Sequence, residues 1–385
     1  MTRLKRKRII IDGEVLVMPH FSGVGHYTLE LIRALDRQLN DQKEFTASML
    51  IHFRHIDKAK KYNFKNIEII PSPFSLRISN GLKIHGKQPP LDLLFGKGIY
   101  LFPNFTTWPL LNSKSIPFMY DISYERYPQF AEPRNQVFLS DQVKKSARRA
   151  NRIVTISESA KSEICDFYKL STDKVGVYYP AVDTKIYYKR TTKETEDVKS
   201  KYGLVDNYIL FVGNIEPRKN LKNLLLAYEL LPPSIQSTYP LVLVGAKGWQ
   251  DGEIFDIIAR LNKQRNNVLF PSKYVTDEDL PAIYSGATAF IYPSIYEGFG
   301  IPPIEAMACE LPVICANNSS LPEAVGDAAL LVDAGSVTDI ADAMNKLLGD
   351  KKFQNLLIKK GKRQVSKFSW DDSARKLLND IRSMY

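Results

Sequence analysis

The chain has 385 residues, 44% of them hydrophobic and 25% charged, and its formal net charge is +11. This composition is typical of an ordinary globular protein and excludes the disordered, collagen-like and disulfide-scaffold classes. The charge is uneven, because residues 1–180 carry 28 basic and 17 acidic side chains whereas residues 181–385 carry 25 of each. A basic half could bind nucleic acid, an anionic membrane or phosphorylated substrates, and charge alone does not choose among them.

Short apolar runs alternate with amphipathic helical patterns along the whole chain, which is typical of parallel sheets covered by helices. In the first half, the predicted strands are 9–11, 45–51, 67–70, 99–102, 117–120, 153–156 and 174–178, and the predicted helices are 25–39, 133–150 and 157–168. In the second half, the predicted strands are 208–212, 241–244, 268–270, 287–292, 312–315 and 329–332, with helices near Leu221, Ile254, Asp279, Ile304 and Leu321.

A polar run over residues 188–201 separates the two halves and predicts a surface linker or a short exposed helix. We therefore expect two doubly wound, Rossmann-like α/β domains, an N-terminal one over 1–185 and a C-terminal one over 186–369. A C-terminal helix over about 370–385 is expected to pack back onto the first domain. Sheets of this kind bind ligands beyond the carboxyl ends of their strands, so the predicted ligand site is the cleft between the domains.

A glycine-rich turn, Gly23-Val24-Gly25-His26, follows the first predicted strand and leads into the first predicted helix. A loop that approaches a phosphate belongs at this position of a doubly wound fold. No Gly-x-Gly-x-x-Gly motif follows the strand, which excludes a dinucleotide-dependent oxidoreductase. The histidines of the first half lack metal-ligand spacing, and the sequence predicts no metal site.

The first half also contains two groups of basic residues. Between positions 54 and 97, basic residues outnumber acidic ones and alternate with apolar residues; they are Arg54, Lys58, Lys60, Lys61, Lys65, Arg77, Lys83, Lys87 and Lys97. The second group has the i, i+4 spacing of one helix face and comprises Lys144, Lys145, Arg148, Arg149 and Arg152. Both groups suit an anionic membrane surface that presents a lipid-linked acceptor, and the alternative is a solvated basic face.

Arg218 and Lys219 lie in a turn that follows the predicted strand 208–212 and precedes the next helix. A guanidinium and an ammonium together offer bidentate and point-charge recognition of a diphosphate. Adjacent basic residues in a loop are usually only solvated. Here the turn belongs to the same domain as a second glycine-rich loop, and this coincidence favours the functional interpretation.

The second glycine-rich loop, residues 297–300, follows the predicted strand 287–292 and precedes a helix that starts with two prolines. This arrangement directs backbone N–H groups and a helix N-terminus toward the carboxyl edge of the sheet, where anions bind. A carboxylate would be unfavourable beside a phosphate, so we expect Glu297 and Glu305 to bind the hydroxyls of a sugar and a ribose. The alternative is a solvated loop glutamate and an ordinary helix glutamate.

Four separate segments resemble glycosyltransferase family 4 and occur in the order of that family. They are GVGHYTLELIRAL, GNIEPRKNLKNLLLAY, YVTDEDLPAIYSGATAFIYPS and EGFGIPPIEAMACELPVICANNSSLPEAVGDAALLVD, the last of which contains the E-x7-E pair Glu297 and Glu305. The similarity covers most of the chain and is strongest over residues 205–370. Members of the family are retaining enzymes of the GT-B fold with nucleotide-sugar donors, so the resemblance implies this fold and this chemistry.

The resemblance implies a role for each matching position. Arg218 and Lys219 would neutralise the donor diphosphate. Glu297 would hold hydroxyls of the transferred sugar, Glu305 would hold the ribose, and Asp121 would lie near the reacting sugar or the acceptor hydroxyl. Further donor contacts are implied for Gly23, Gly25, Lys273, Tyr274, Val275, Gly298, Phe299 and Gly300, of which residues 273–275 would hold the nucleobase.

Three positions of the first half leave details of this assignment open. The alternative interpretation of Asp121 is a turn residue at a strand end. Tyr120 stands where relatives often have histidine, and His26 stands where they often have arginine. Donor contacts from the first helix are therefore expected to differ from those of relatives.

The resemblance and the basic first half together imply a retaining glycosyltransferase that needs no metal or cofactor and acts from the cytoplasmic side as a peripheral membrane protein. The motifs most resemble those of the mannosyltransferase branch of the family. This resemblance implies a reaction that moves a hexosyl group, mannose from GDP-mannose in preference to a UDP-sugar, to a lipid-linked saccharide or oligosaccharide in surface-polysaccharide assembly. The alternative is a non-catalytic, basic membrane-binding module with a vestigial sugar site, which the presence of both glutamates and of Arg218 and Lys219 disfavours. No nucleic-acid-binding motif is found, so nucleic acid is not an expected partner.

Overall fold

The computed structural model describes residues 6–18, 23–246, 252–265 and 267–385. The chain divides into two compact units. The first unit comprises Met1–Pro180 together with Ser369–Tyr385, and the second comprises Ala181–Phe368. The boundary expected between residues 185 and 186 lies five residues beyond the one in the structure, and the last helix belongs to the first unit.

The strands are, in chain order, β1 Lys7–Asp12, β2 Phe45–His52, β3 Ile67–Ser72, β4 Ile99–Phe102, β5 Lys114–Pro117, β6 Ile153–Thr155, β7 Val175–Val177, β8 Ile209–Val212, β9 Leu241–Val244, β10 Val268–Leu269, β11 Ala289–Tyr292, β12 Val313–Ala316 and β13 Ala329–Val332. The helices are α1 Gly23–Leu39, α2 Ile56–Lys60, α3 Leu76–Ile84, α4 Leu91–Phe95, α5 Ser123–Arg126, α6 Pro133–Arg149, α7 Glu158–Tyr168, α8 Thr192–Tyr202, α9 Leu221–Glu229, α10 Pro233–Thr238, α11 Gly252–Arg265, α12 Leu280–Gly286, α13 Ile301–Ala308, α14 Leu321–Val325, α15 Val337–Gly349, α16 Lys351–Val365 and α17 Trp370–Ser383. Every helix within the described ranges is too short or too polar to cross a bilayer.

The first unit is built on a parallel sheet of order β3-β2-β1-β4-β5, with a separate parallel pair formed by β6 and β7. Residues 9–11 of the central strand β1 are almost completely buried, because helices flank the sheet and its strands need no alternation of apolar and polar residues. The predicted strand 117–120 is wrong. Strand β5 ends at Pro117, because the chain then turns from β4 toward β6, where Phe118 pairs with Val154.

Helix α1 begins at Gly23, so the turn predicted over Gly23 and Gly25 is the first turn of a helix rather than a loop. Helix α17 packs against α1, and the ring centroids of Tyr27 and Trp370 lie 5.3 Å apart. The last helix therefore completes the apolar face of the first one.

Most residues of the two predicted basic groups are exposed, but Lys83 and Arg152 are not. Lys83 is only 6% exposed, because it lies on the inward face of α3, and its ammonium donates to Thr106 Oγ1 at 2.6 Å. Helix α6 ends at Arg149, so Arg152 lies beyond the helix and pairs with Asp380 at 2.9 Å. The predicted basic surface loses these two positions.

The second unit contains a parallel sheet of order β10-β9-β8-β11-β12-β13. Every residue of β9, β11 and β12 is buried, as expected for strands that helices cover on both faces. Residues 192–201 of the polar run lie in α8, which a capping box between Thr191 and Glu194 starts. The exposed-helix alternative for this run is therefore the correct one.

The loops at the carboxyl ends of β8 and β9 are packed too closely to admit a side chain at Gly245. A Cβ atom at this position would lie 1.9 Å from the carbonyl oxygen of Gly213. The N–H of Gly213 in turn donates to the carbonyl of Val244 at 2.9 Å. This contact fixes the start of the loop that carries Arg218 and Lys219.

Candidate functional site

The site is built at the carboxyl edge of the second sheet. Strands β8 and β11 are parallel neighbours, with Ile209 opposite Ala289, so both strands end at the same edge. The loop after β8 carries Arg218 and Lys219, and the loop after β11 carries Glu297. The strand order therefore brings together residues that are far apart in the sequence.

Asn220 joins these two loops. It adopts a φ of 60°, a left-handed conformation that asparagine tolerates better than most residues. Its side-chain amide donates to the carbonyls of Pro293 at 3.0 Å and Ala334 at 2.7 Å. The N–H of Ile295 donates to the carbonyl of Arg218 at 2.9 Å. The loops are thus held together by the Asn220 amide and by one backbone hydrogen bond, without any charged side chain.

Five residues form a network that we call the charged cluster: Glu216, Arg218, Lys219, Tyr292 and Glu297. Lys219 Nζ lies 2.7 Å from Glu297 Oε1, and Arg218 Nη1 lies 2.9 Å from Glu297 Oε2. Arg218 Nη2 also lies 2.9 Å from Glu216 Oε1. The Tyr292 hydroxyl accepts from Lys219 at 2.6 Å and donates to Glu297 at 3.0 Å. Two cations and two carboxylates therefore balance one another.

Burial makes this pairing strong. Desolvation lowers the pKa of Lys219, which is only 8% exposed, and the charge of Glu297 opposes that change. Desolvation by itself would raise the pKa of Glu297, but Arg218 and Lys219 outweigh it and hold the pKa at about 2. Glu297 is therefore ionised at neutral pH, and it compensates cations that would be costly to bury alone.

The observed partners of Glu297 differ from the predicted ones. Both of its oxygens bind Arg218 and Lys219, although the sequence suggested that it would be directed toward sugar hydroxyls. The reason is the adjacency of β8 and β11, which places the carboxylate against the two cations. The contact between Glu297 and the transferred sugar stays a prediction.

Glu305 lies in a half-buried position on α13. Its Oε2 accepts from the Tyr284 hydroxyl at 2.9 Å, and the phenol of Tyr187 interacts with the same carboxyl group. Desolvation raises the pKa of Glu305 to about 7, although both phenols oppose the shift. A carboxyl group with this pKa exchanges its proton near neutral pH, whereas Glu297 does not. The ribose contact of Glu305 stays a prediction.

The loop that carries Glu297 requires a glycine at position 300. Gly300 has a φ of 110°, and a Cβ atom there would lie 2.6 Å from Leu321 Cδ2. The N–H of Glu297 donates to Ser319 Oγ at 3.0 Å, and Ser320 Oγ donates to the Glu297 carbonyl at 2.7 Å. The backbone of this loop, which includes the predicted donor contacts Gly298 and Phe299, is thereby fixed at the start of α13.

Residues 273–275, the predicted nucleobase site, follow β10 at the carboxyl edge of the same sheet. Only β9 lies between β10 and β8. Tyr274 is 80% exposed, and the ammonium of Lys273 lies 5.7 Å from the ring centroid of Tyr202. The segment is accessible to a ligand, and base binding by it stays a prediction.

The other predicted site residues belong to the first unit. Asp121 Oδ1 accepts from the N–H of Ser123 at 2.9 Å, which is the geometry of the turn-residue alternative, and its catalytic role stays a prediction. Tyr120 is buried, and its hydroxyl donates to the carbonyl of Pro103 at 2.8 Å. His26 is exposed on α1. Tyr120 therefore supports the fold of the first unit.

Sequence reasoning missed several residues of the site. Tyr292 is the last residue of β11, and Asn220 directly follows Lys219, so their positions beside the two motifs could have indicated them. Tyr284 comes from α12 and has no local relation to Glu305 that a pattern could detect.

The arrangement can stabilise an anionic leaving group. Paired cations that are already in place, together with the N–H groups at the start of α13, lower the energy of charge that grows during bond cleavage. Within the residues that the structure describes, no three histidine, cysteine, aspartate or glutamate side chains are grouped so that they could hold a metal ion.

Comparison with known proteins identifies the family. The family model described as "Glycosyl transferases group 1" matches residues 192–364. The "O-antigen chain mannosyltransferase B" of Escherichia coli is 32% identical over 381 residues, which are 97% of this chain and 98% of that protein. The chain belongs to the group 1 glycosyltransferases. The prediction of a glycosyltransferase is therefore confirmed.

Two further comparisons extend this result. The "Serotype-specific mannosyltransferase WbdA" of Escherichia coli is 35% identical to this chain over 228 residues, which are 59% of this chain and 28% of that longer protein. The solved structure of Anabaena HepE in complex with UDP and glucose has a TM-score of 0.72 at 16% identity, over 98% of this chain and all of HepE. The predicted GT-B fold, with two Rossmann-like domains, is confirmed.

Proposed function

We propose that this glycosyltransferase moves a mannosyl group from a nucleotide-sugar, GDP-mannose in preference to a UDP-sugar, to a saccharide acceptor in surface-polysaccharide assembly. The printed names of its mannosyltransferase relatives, one of them an O-antigen chain enzyme, support the sugar and the pathway class. The charged cluster at the carboxyl edge of the second sheet carries the proposal. The proposed transfer retains the anomeric configuration and needs no metal ion.

In the proposed mechanism, the charged cluster stabilises the departing nucleoside diphosphate. Negative charge grows on the diphosphate as the bond to the sugar breaks. Arg218 supplies a planar pair of donors and Lys219 supplies a compact positive charge, which together suit a diphosphate. Tyr292 and Glu297 already hold Lys219 in place, so the cation needs little reorganisation during the reaction.

In this mechanism, Glu297 exchanges its ion pairs with Arg218 and Lys219 for a hydrogen bond from the donor sugar. A bound diphosphate compensates the charges of Arg218 and Lys219, which Glu297 compensates in this structure. A carboxylate oxygen then becomes available to accept from a hydroxyl of the donor sugar. The exchange reconciles the sugar contact predicted from the sequence with the ion pairs in the structure.

Glu305 would bind the vicinal hydroxyls of the ribose. Its carboxylate form accepts two hydrogen bonds, as a diol requires. Burial raises the pKa of Glu305 to about 7, so part of the protein carries this proton at neutral pH. The ribose hydroxyls donate to the ionised carboxylate, and ribose binding therefore favours loss of the proton. This contact is remote from the reacting bond, so it contributes to donor affinity more than to the rate of transfer.

A thermal-shift panel of GDP, UDP, dTDP and ADP tests the donor. The cognate nucleotide at a hundredfold excess over its dissociation constant should stabilise the fold by about 2.7 kcal/mol, and we expect GDP to be that nucleotide. Arg218→Ala should remove most of this shift. The control Arg260→Ala removes an exposed guanidinium that pairs with Glu229 and should keep it. A larger thermal shift with UDP than with GDP would mean that the donor is a UDP-sugar.

A transfer assay with GDP-mannose and a mannoside acceptor tests the stereochemistry and the metal requirement. NMR spectroscopy of the product should show the anomeric configuration of the donor sugar. Addition of EDTA should leave the initial rate unchanged. An inverted product would contradict retention, and a rate that EDTA abolishes and Mg²⁺ restores would contradict metal independence.

We further propose that the acceptor is carried on a lipid and that the first unit binds an anionic membrane peripherally, at the inner face of the cell membrane. The segment 54–97 exposes the basic residues described above, except Lys83, and also exposes more than half of Ile84, Leu93 and Leu94. Basic residues are attracted to anionic lipids, and exposed apolar side chains insert among them. This combination supports membrane binding better than charge alone.

Cosedimentation with anionic vesicles tests this proposal. A variant with four exposed lysines of the first unit changed to glutamine should lose salt-sensitive binding, since each contributes about 1 kcal/mol; they are Lys58, Lys60, Lys61 and Lys65. A matched variant removes the same charge from exposed positions of α16 in the second unit and should bind like the parent; its positions are Lys351, Lys352, Lys359 and Lys362. If the parent does not bind anionic vesicles at low salt, the membrane proposal is wrong, and a soluble acceptor is favoured over a lipid-linked one.

A further inference from the structure

Two tyrosines from different segments of the second unit contact the carboxyl group of Glu305. Glu305 lies on α13 and Tyr284 lies on α12, whereas Tyr187 precedes α8. The Tyr284 hydroxyl donates to Glu305 Oε2 at 2.9 Å, and the phenol of Tyr187 interacts with the same carboxyl group. The ring centroids of the two tyrosines lie 6.2 Å apart. Two neighbouring phenols therefore share one carboxyl group.

Tyr284 is fixed in the core of the second unit. Its side chain is completely buried, and its ring packs edge-on against Phe290 of β11, which is also completely buried, with the ring centroids 5.5 Å apart. If the Tyr284 hydroxyl left Glu305, a buried donor would lose its partner away from water, which is unfavourable. Tyr284 therefore holds the carboxyl group of Glu305 in one position.

Tyr187, in contrast, can move. It is half-buried, so its side chain lies at the surface of the second unit. The N–H of Tyr187 donates to the carbonyl of Asp183 at 2.8 Å. Just after it, Lys189 Nζ and the N–H of Arg190 donate to Ser285 of α12, at 2.6 Å and 3.0 Å. The backbone is thus anchored on both sides of Tyr187, and the side chain can rotate toward solvent without moving a helix.

The carboxyl group of Glu305 is shielded from water. Desolvation raises its pKa to about 7, although both phenols oppose the shift, and the charge of Asp277 raises the pKa further. The thiol of Cys309 is also nearby, and it stays protonated because burial raises its pKa to about 12. A ligand that binds this carboxyl group must displace one of the groups that shield it, and Tyr187 is the phenol that can leave.

We propose that Tyr187 and the ribose of the nucleotide donor compete for the carboxyl group of Glu305, while Tyr284 keeps this group in position. A ribose hydroxyl is a neutral donor like a phenol, so one can replace the other without a change of charge. A nucleotide that lacks ribose hydroxyls leaves Tyr187 in place. Tyr187 thus lowers the affinity for the donor. The inference rests on the proposed function, because that function supplies the ribose.

Isothermal titration of the full chain with GDP and with dideoxy-GDP, whose sugar lacks both ribose hydroxyls, tests this inference. The titration is made at about pH 8.5, where Glu305 is ionised. Both phenols stay protonated, because burial raises the pKa of Tyr187 and of Tyr284 well above the usual value. Tyr187→Phe removes the competitor and should lower the dissociation constant of GDP about two- to tenfold, with no change for dideoxy-GDP.

Tyr284→Phe should have the opposite effect. The variant releases the carboxyl group of Glu305 and should raise the dissociation constant of GDP about two- to tenfold, again without a change for dideoxy-GDP. A purely structural effect of either substitution would change the binding of both nucleotides. In a Glu305→Gln background, Tyr187→Phe should have little effect, because the charged acceptor for which the phenol and the ribose compete is gone.

Tyr208→Phe is the matched control. The Tyr208 hydroxyl is also buried and donates to the carbonyl of Ile283, the residue before Tyr284, so this variant should bind both nucleotides like the parent. If GDP binds the parent and Tyr187→Phe does not improve its binding, or improves that of dideoxy-GDP equally, only this inference is wrong. GDP and UDP share the ribose, so a UDP-dependent chain is tested with UDP and dideoxy-UDP. If neither GDP nor UDP binds the parent, the donor proposal fails and this inference fails with it.

Discussion

In the second unit the buried charged groups at the carboxyl edge of the sheet bind one another, whereas in the first unit Asp12 and Ser79 do not. Lys219 and Glu297 lie 2.7 Å apart and share the Tyr292 hydroxyl. Ser79 Oγ has no partner among the described residues, and Asp12 accepts a single long bond. A balanced cluster is organised before its ligand arrives, whereas a buried hydroxyl without a partner costs the fold the hydrogen bonds that it made with water.

The largest expected effect comes from removing one cation of the charged cluster. Arg218→Ala should lower kcat by about two to three orders of magnitude, because the lost guanidinium stabilises charge that grows in the transition state. Initial rates at saturating donor measure the effect, and Arg260→Ala serves as the surface control. An unchanged kcat would show that the cluster supports the fold of the second unit and not the reaction.

The protonation of Glu305 should make stability depend on pH. Burial raises its pKa from 4.5 to about 7, so the folded chain binds this proton more tightly than the unfolded chain does. The proton on Glu305 therefore contributes about 3 kcal/mol to the free energy of unfolding. This contribution is fully present below pH 4.5 and is lost as the pH rises through 7.

Urea unfolding at several pH values between 4.5 and 7 measures this contribution. Glu305→Gln should flatten the difference between the two ends of the range. Glu310→Gln changes the carboxyl group that pairs with Lys362 near the same helix and should keep the dependence of the parent. Equal profiles for the parent and Glu305→Gln would mean that Glu305 is not the group responsible.

A kinetic comparison separates the two glutamates of the second unit. Glu297→Gln should lower kcat at least about tenfold, because its partners are the cations and the transferred sugar. Glu305→Gln should raise the donor KM by about tenfold with a smaller effect on kcat, because a ribose contact is nearly the same in ground and transition states. Steady-state kinetics at varied donor concentration measure kcat and the donor KM of both variants. A larger loss of kcat in Glu305→Gln than in Glu297→Gln would mean that the two roles are exchanged.

The smallest expected effect concerns the hydroxyl that links the charged cluster. Tyr292→Phe should cost about 1 kcal/mol of unfolding free energy and also reduce kcat/KM, because Lys219 loses one of its acceptors. Tyr208→Phe removes another buried hydroxyl of the same unit, which donates to the carbonyl of Ile283, and should affect stability alone. If both variants have the activity of the parent, Tyr292 does not position Lys219.

Most strands could be predicted because each is a continuous apolar run in a buried parallel sheet. The predicted strands 99–102, 241–244 and 329–332 coincide with β4, β9 and β13. Short helices such as α2 and α4 were not predicted, because five residues are too few for a periodic pattern and their conformation depends on tertiary contacts.

The site was predictable only as separate motifs. The turns that carry Arg218, Lys219 and Glu297 could be located because each follows a strand and contains an unusual concentration of charge or glycine. Their pairing depends on β11 lying next to β8, which no local pattern encodes.

The return of the chain to the first unit affects its biosynthesis. Residues 1–180 leave the ribosome first, but the face of α1 that α17 covers stays open until Trp370, Leu377 and Ile381 have been made. At ordinary translation rates this interval is roughly 10–40 s. During this time the nascent chain exposes the apolar face of α1, which favours aggregation. Residues 1–180 produced alone should therefore aggregate, whereas a circular permutant that begins at Ser369 would complete its first unit before the second is translated.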